Sequence, residues 1–101
     1  MNQKERLYIK EKLKESLSKE KEVSKIIVFG SFLKSKYPND VDVAVFQNSQ
    51  DAYLNLSLKY RKLTREIAKI IPLDIIPIKE NSNGVFLNEI NYGEVIYERR
   101  S

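Results

Sequence analysis

The chain has 101 residues and a formal net charge of +4, with 42% apolar and 32% charged residues, the balance of a globular protein with one core. It has no cysteine and no histidine, which excludes disulfides, thiolate or imidazole metal sites and histidine acid–base chemistry; any metal must sit on oxygen, which favours Mg²⁺ or Mn²⁺. The charged N-terminus lacks a signal-type apolar segment and no run approaches a membrane span, so a single cytoplasmic domain over 1–101 with no membrane association is expected.

Residues 3–20 predict a Lys/Glu-rich helix whose apolar stripe is Ile9, Leu13 and Leu17, with Leu7 nearby. Val23 to Phe29 predicts a strand, and Ile26-Ile27-Val28-Phe29 is apolar throughout, as suits a strand covered on both faces. Gly30-Ser31 ends it, a short helical segment follows over Phe32 to Lys36, and Tyr37-Pro38-Asn39-Asp40 is turn chemistry. Val41 to Phe46 predicts the second strand. Its alternation puts Asp40, Asp42, Ala44 and Phe46 on one face and Val41, Val43 and Val45 on the other.

Asn48 to Asp51 offers a helix start, and Tyr53, Leu56, Tyr60, Leu63, Ile67 and Ile70 step by three or four until Pro72. Leu73 to Ile78 predicts a third strand, and Pro77 places it at an edge or near a strand end. Asn81 to Gly84 predicts a loop, Val85 to Ile90 a short helix stopped at Gly93, and Glu94 to Glu98 a last strand. The order is α-β-(α)-β-α-β-α-β, an α/β (α+β) chain with helices packed on a small mixed β-sheet.

Three acids carry the chemistry. Asp40 and Asp42 stand two apart, roughly 6.5 Å along one strand face, close enough for both carboxylates to hold a cation. Taken alone they also read as a turn acid and an exposed strand end. Asp74 is the lone acid of Leu73-Asp74-Ile75-Ile76; it joins the other two if the strands are neighbours, or pairs with a lysine if they are not. Three clustered carboxylates repel one another, and divalent ions would relieve that. Gly30 permits a tight turn and Ser31 offers a hydroxyl and an N–H to a phosphate.

The order Val28-Phe29-Gly30-Ser31-Phe32, Asp40-Val41-Asp42-Val43 and Leu73-Asp74-Ile75-Ile76 resembles the minimal nucleotidyltransferases of the DNA polymerase beta-type superfamily, the MntA-like antitoxins among them. Phe86 to Ile90 and Gly93 to Glu98 resemble that family's C-terminal helix and strand, so the likeness spans nearly everything after the first helix. The chain departs from the family in a shorter spacer between Ser31 and Asp40. Phe32-Leu33-Lys34 also stands near the position of a common Arg-Gly pair, and Asn39 where serine is frequent.

The resemblance implies a polymerase-beta-like nucleotidyltransferase fold and transfer of a nucleoside monophosphate from a nucleoside triphosphate, with release of pyrophosphate. It implies that Asp40, Asp42 and Asp74 are the catalytic carboxylates and hold two Mg²⁺ ions, or Mn²⁺ in their place, with Asp74 on the acceptor side. It implies that Gly30 and Ser31 hold the triphosphate of ATP, with Lys34 or Lys36 in place of the missing arginine. The expected acceptor is a hydroxyl, a tyrosine in the first instance, of a partner HEPN toxin that the transferase silences. The alternatives are transfer to a small molecule or RNA end, a non-catalytic subunit that masks the same partner, and, from charge alone, nucleic-acid binding.

Overall fold

The computed structural model describes residues 1–82 and 84–99; Asn83 of the expected 81–84 loop lies outside them. The elements are α1 (Gln3–Leu17), β1 (Val23–Phe29), α2 (Ser31–Lys34), β2 (Val41–Gln47), α3 (Tyr53–Leu63), α4 (Arg65–Ala68), β3 (Leu73–Lys79), α5 (Val85–Asn91) and β4 (Glu94–Glu98). One sheet runs in the order β3-β2-β1-β4. β2 and β3 are parallel, joined by the α3–α4 crossover that such a pair requires. β1 is antiparallel to both β2 and β4, so the sheet is mixed, as expected. β3 lies at an edge, where Pro77 costs the ladder least.

The sheet is covered on both faces. Val23, Ile26 and Val28 of β1 and Val41, Val43 and Val45 of β2 pack with Ile9, Leu13 and Leu17 of α1 and with Leu56, Tyr60 and Ile67 of α3 and α4. The opposite face holds a smaller cluster of Ile27, Phe29, Ala44, Phe46 and Ile78 under Ile90 of α5. Both sides of β1 are therefore apolar, which explains its unbroken apolar run.

α1 starts on a capping box: Asn2 Oδ1 accepts from Glu5 N at 2.8 Å, and Glu5 Oε1 accepts from Asn2 N at 3.2 Å. The helix ends at Leu17, three residues before the expected end, and Leu7 is 58% exposed, off the stripe.

The helix expected from Tyr53 to Ile70 is broken. Thr64 leaves helical geometry (φ −108°, ψ 14°), and its Oγ1 donates to Tyr60 O at 2.8 Å, the carbonyl its own N–H also reaches. A buried threonine bonding back to position i−4 competes with the helix ladder. Ile67 is buried as expected; past the break Ile71 is buried in place of Ile70, while Tyr53 and Leu63 of α3, also on the expected stripe, are exposed. α3 also begins at Tyr53, with Ala52 as an N-cap that makes no side-chain bond, rather than at Asn48 to Asp51.

Tyr60 is fully buried, and its hydroxyl donates to Glu22 Oε2 at 2.8 Å. Lys59 bridges Glu20 and Glu22 at 3.1 and 2.7 Å. Burial pushes the Glu22 carboxyl up, but the bonds from Lys59, its own backbone and Tyr60 outweigh this and hold it below its usual range. The cluster ties α3 to the entry of β1.

Candidate functional site

Asp42 and Asp74 stand side by side where β2 and β3 begin, with Asp40 just ahead of β2. Asp42 pairs with Asp74 in the parallel ladder and with Phe29 in the antiparallel one. One row across three strands thus reads Phe29, Asp42, Asp74, on the same face as Ala44 and the smaller cluster. Asp42 is half-buried between its neighbours, whereas Asp74 is exposed on the edge strand. Asp40 stands just before β2 and is half-buried.

Burial raises the Asp42 carboxyl above its usual range, and the charges of Asp40 and Asp74 and a hydrogen bond with Asp74 raise it further. A half-buried carboxylate facing two others is costly unless a proton or a cation intervenes. Among the described residues no group of three acidic side chains is gathered into a metal-holding arrangement; the close pair is Asp42 with Asp74. The donor chemistry nonetheless fits a hard divalent cation, being all oxygen and short of positive charge.

Directly after Phe29, Gly30 turns the chain with φ +82°. A Cβ there would overlap Asp42 Oδ2 and lie 3.2 Å from Asp42 Cγ. Glycine is thus required twice, for its backbone angle and so that the turn can rest against the carboxylate. α2 follows as one helical turn, with Ser35 N donating to Ser31 O at 2.7 Å.

A cleft of about 310 Å³ opens beside this turn, lined by Phe29, Gly30, Ser31, Leu33, Lys34, Tyr92 and Gly93. Its size is at the small end for a ligand site, which spans roughly 300–1,000 Å³. A Cβ at Gly93 would overlap Val28 O and lie 2.8 Å from Ile27 Cγ2 and Phe29 Cβ, so the α5–β4 junction can lie flush against β1. Tyr92 is 87% exposed at the rim.

The fold therefore brings Gly30, Ser31 and Lys34 to one cleft; Asp42, paired with Asp74, lies against Gly30 without lining that cleft, and Asp40 stands just before β2. Lys36 does not line this cleft; its side chain lies over the Tyr37 ring and its carbonyl accepts from the N-terminal amine at 2.9 Å. Sequence reasoning missed Tyr92 and Gly93 as cleft residues. Asn91-Tyr92-Gly93 was legible only as a helix stop, because its nearness to Gly30 depends on β4 pairing with β1 across most of the chain.

Residues 11–101 match the family model for Polymerase beta, Nucleotidyltransferase. Comparison with curated proteins finds no significant match. Among solved structures, the chain resembles one in a tri-AMPylated Shewanella oneidensis HEPN toxin in complex with MNT antitoxin, at 16% identity and TM-score 0.61, covering 93% of this chain and 73% of that one. It resembles another in a toxin–antitoxin structure with AMP-PNP, at 17% identity and TM-score 0.63, covering 90% and 74%. A third is in the toxin–antitoxin MntA–HepT, at 15% identity and TM-score 0.54, covering 97% and 74%. At these identities the likeness concerns the fold, which is the polymerase-beta-like fold expected from the sequence. No helix among the described residues is long and apolar enough to cross a membrane.

Proposed function

The chain belongs to the polymerase beta nucleotidyltransferase family, and from that premise we propose that it transfers AMP from ATP to a hydroxyl, a tyrosine first of all, of a partner HEPN toxin and so acts as its antitoxin. The observation that carries this reading is the Asp42–Asp74 register pair resting against the Gly30-Ser31 turn. In this reading the acids of a transfer site lie next to the turn that lines the cleft. The partner and the transferred group rest on the structural neighbours, one of them a HEPN toxin carrying AMP in complex with an MNT antitoxin and another holding AMP-PNP.

In this reading Asp40, Asp42 and Asp74 would hold divalent ions, Mg²⁺ or Mn²⁺. When bound, such ions neutralise the triphosphate and the departing pyrophosphate. The backbone of Gly30 and the hydroxyl of Ser31 position the phosphates, and Lys34 adds a cation on the same wall. Phe29, Leu33 and Tyr92 supply the apolar part of the cleft for the nucleoside. Asp74, exposed on the open edge of the sheet, is the carboxylate that an acceptor arriving from a partner would meet, and it takes the hydroxyl proton. The hydroxyl oxygen bonds to the α-phosphorus as the bond to pyrophosphate breaks.

The experiment is incubation with Mg²⁺, labelled ATP and the protein encoded by the neighbouring gene. Label should move to the partner with wild type and not with Asp42→Asn; no transfer by wild type would sink the proposal. The open arrangement of the three acids favours a second reading, a non-catalytic subunit that masks its partner. That reading predicts neutralisation of the partner by a variant lacking all three aspartates.

A further inference from the structure

We propose that Arg6, on the first helix, is a positioning residue that holds the phosphate-side turn in shape. α2 is a single turn of four residues, too short to persist by itself, and its last carbonyls lack helical partners. The Arg6 guanidinium donates to two carbonyls of this segment, Phe32 O and Ser35 O. It also lies over the Phe32 ring, 5.3 Å from its centre, and Phe32 is fully buried. A planar fork that reaches two acceptors and stacks on a ring fixes both position and tilt, which a lysine cannot do. Its positive charge at the C-terminal end of the turn also complements the local dipole.

The segment is gripped from outside the cleft. Leu33 and Lys34 line the Gly30–Tyr92 cleft on one side and, on the other, a hollow of about 430 Å³ that Arg6 and Lys10 help to line. α2 is therefore a partition, and Arg6 braces the side away from the ligand. Arg6 does not line the cleft, so it acts through Ser31 to Lys34. The cations within the spacer, Lys34 and Lys36, are exposed; the N-terminal amine reaches only Lys36 O, past the end of α2.

The catalytic half of this inference rests on the nucleotidyl-transfer reading; the structural half does not. The test compares Arg6→Ala and Arg6→Lys with wild type by amide hydrogen exchange over residues 31–36 in the nucleotide-free protein, and by steady-state transfer from ATP. Arg6→Ala should speed exchange in this segment more than in β1 or β2. It should also raise KM for ATP about tenfold, as loss of bonds from a charged donor implies, with kcat within about twofold. Arg6→Lys should recover only part of either effect. Unchanged exchange in Arg6→Ala overturns the bracing role. So does full recovery by Arg6→Lys, which would mean that charge alone matters. Faster exchange with an unchanged KM overturns the link to nucleotide. If wild type transfers nothing, the functional reading fails, and the exchange comparison still decides whether Arg6 holds the turn.

Discussion

Asp42 and Asp74 are register partners in the parallel β2–β3 ladder, so two acids far apart in sequence stand side by side on one face of neighbouring strands. On its other side Asp42 pairs with Phe29, whose next residue is Gly30. The crossover through α3 and α4 sets this register, because it decides which residue of β3 stands beside Asp42. Without a cation the arrangement strains the folded state, and that strain can be measured.

Asp42→Asn keeps the side chain's shape and removes its charge. The Asp42 carboxyl titrates above the ordinary 3.8 because of burial and then Asp40 and Asp74. The folded state therefore holds this proton more tightly than the unfolded chain does. Stability falls as pH rises from the ordinary value through the raised one and stays lower above it. Without divalent ions at neutral pH, Asp42→Asn should thus melt higher than wild type, by about 4–8 °C per kcal/mol of repulsion relieved. The gap should close near about pH 3, where wild type is protonated too. Thermal melts across pH check this; a variant that melts lower at neutral pH contradicts it.

The same repulsion predicts a response to metal. Mg²⁺ should raise the melting temperature of wild type, with stabilisation approaching about 2.7 kcal/mol at a hundred times Kd. Asp42→Asn should respond far less. Chelation should reverse the shift and stop transfer. Equal shifts in the two proteins would place the binding elsewhere.

Gly30→Ala should be costly for two separable reasons. Its φ of +82° strains a side-chain-bearing residue, and the new Cβ overlaps Asp42 Oδ2. The backbone part costs about 1–3 kcal/mol, and the overlap adds to it. Asp42→Ala removes the overlapping oxygen, so the cost of Gly30→Ala should be smaller in that background. A double-mutant cycle by denaturant unfolding reads the coupling; purely additive costs would mean that the turn does not rest on the carboxylate.

Much of this was legible in the sequence, and for local reasons. The apolar runs of β1 and β2 announce strands, Pro77 announces an edge, and an acid among aliphatic residues at Asp42 or Asp74 asks for a partner. Thr64 hid its effect, because the heptad-like spacing around it continues in sequence while its hydroxyl interrupts the helix in space. Arg6 was illegible for another reason. On a Lys/Glu-rich helix it looks like one more solvated cation, and only the packing of α1 beside α2 brings it to Phe32 O and Ser35 O. Tyr92 and Gly93 reach the cleft only through strand pairing.

Tyr60→Phe probes the brace between α3 and β1. The hydroxyl is buried and donates to Glu22, with Lys59 on the same carboxylate. Its loss should cost about 1.5 kcal/mol at neutral pH, the low end for a bond to a charged acceptor, because Lys59 still covers Glu22. Burial, then the bond to Glu22, pushes the phenol well above its ordinary 10.0. The unfolded chain therefore ionises this tyrosine first, and wild type loses stability as pH rises past that value. The phenylalanine variant lacks this loss, so its deficit should narrow in alkali. In acid the sign is the other one: Glu22 titrates below its ordinary 4.5, so its contribution is present above that value and is lost as pH falls through the lowered one. The variant lacks one of the bonds that lower Glu22, so its deficit should narrow there as well. Chemical unfolding at neutral, acid and alkaline pH reads all three; a deficit that stays constant from neutral to alkaline pH would show that the Tyr60 proton is not held by the folded state.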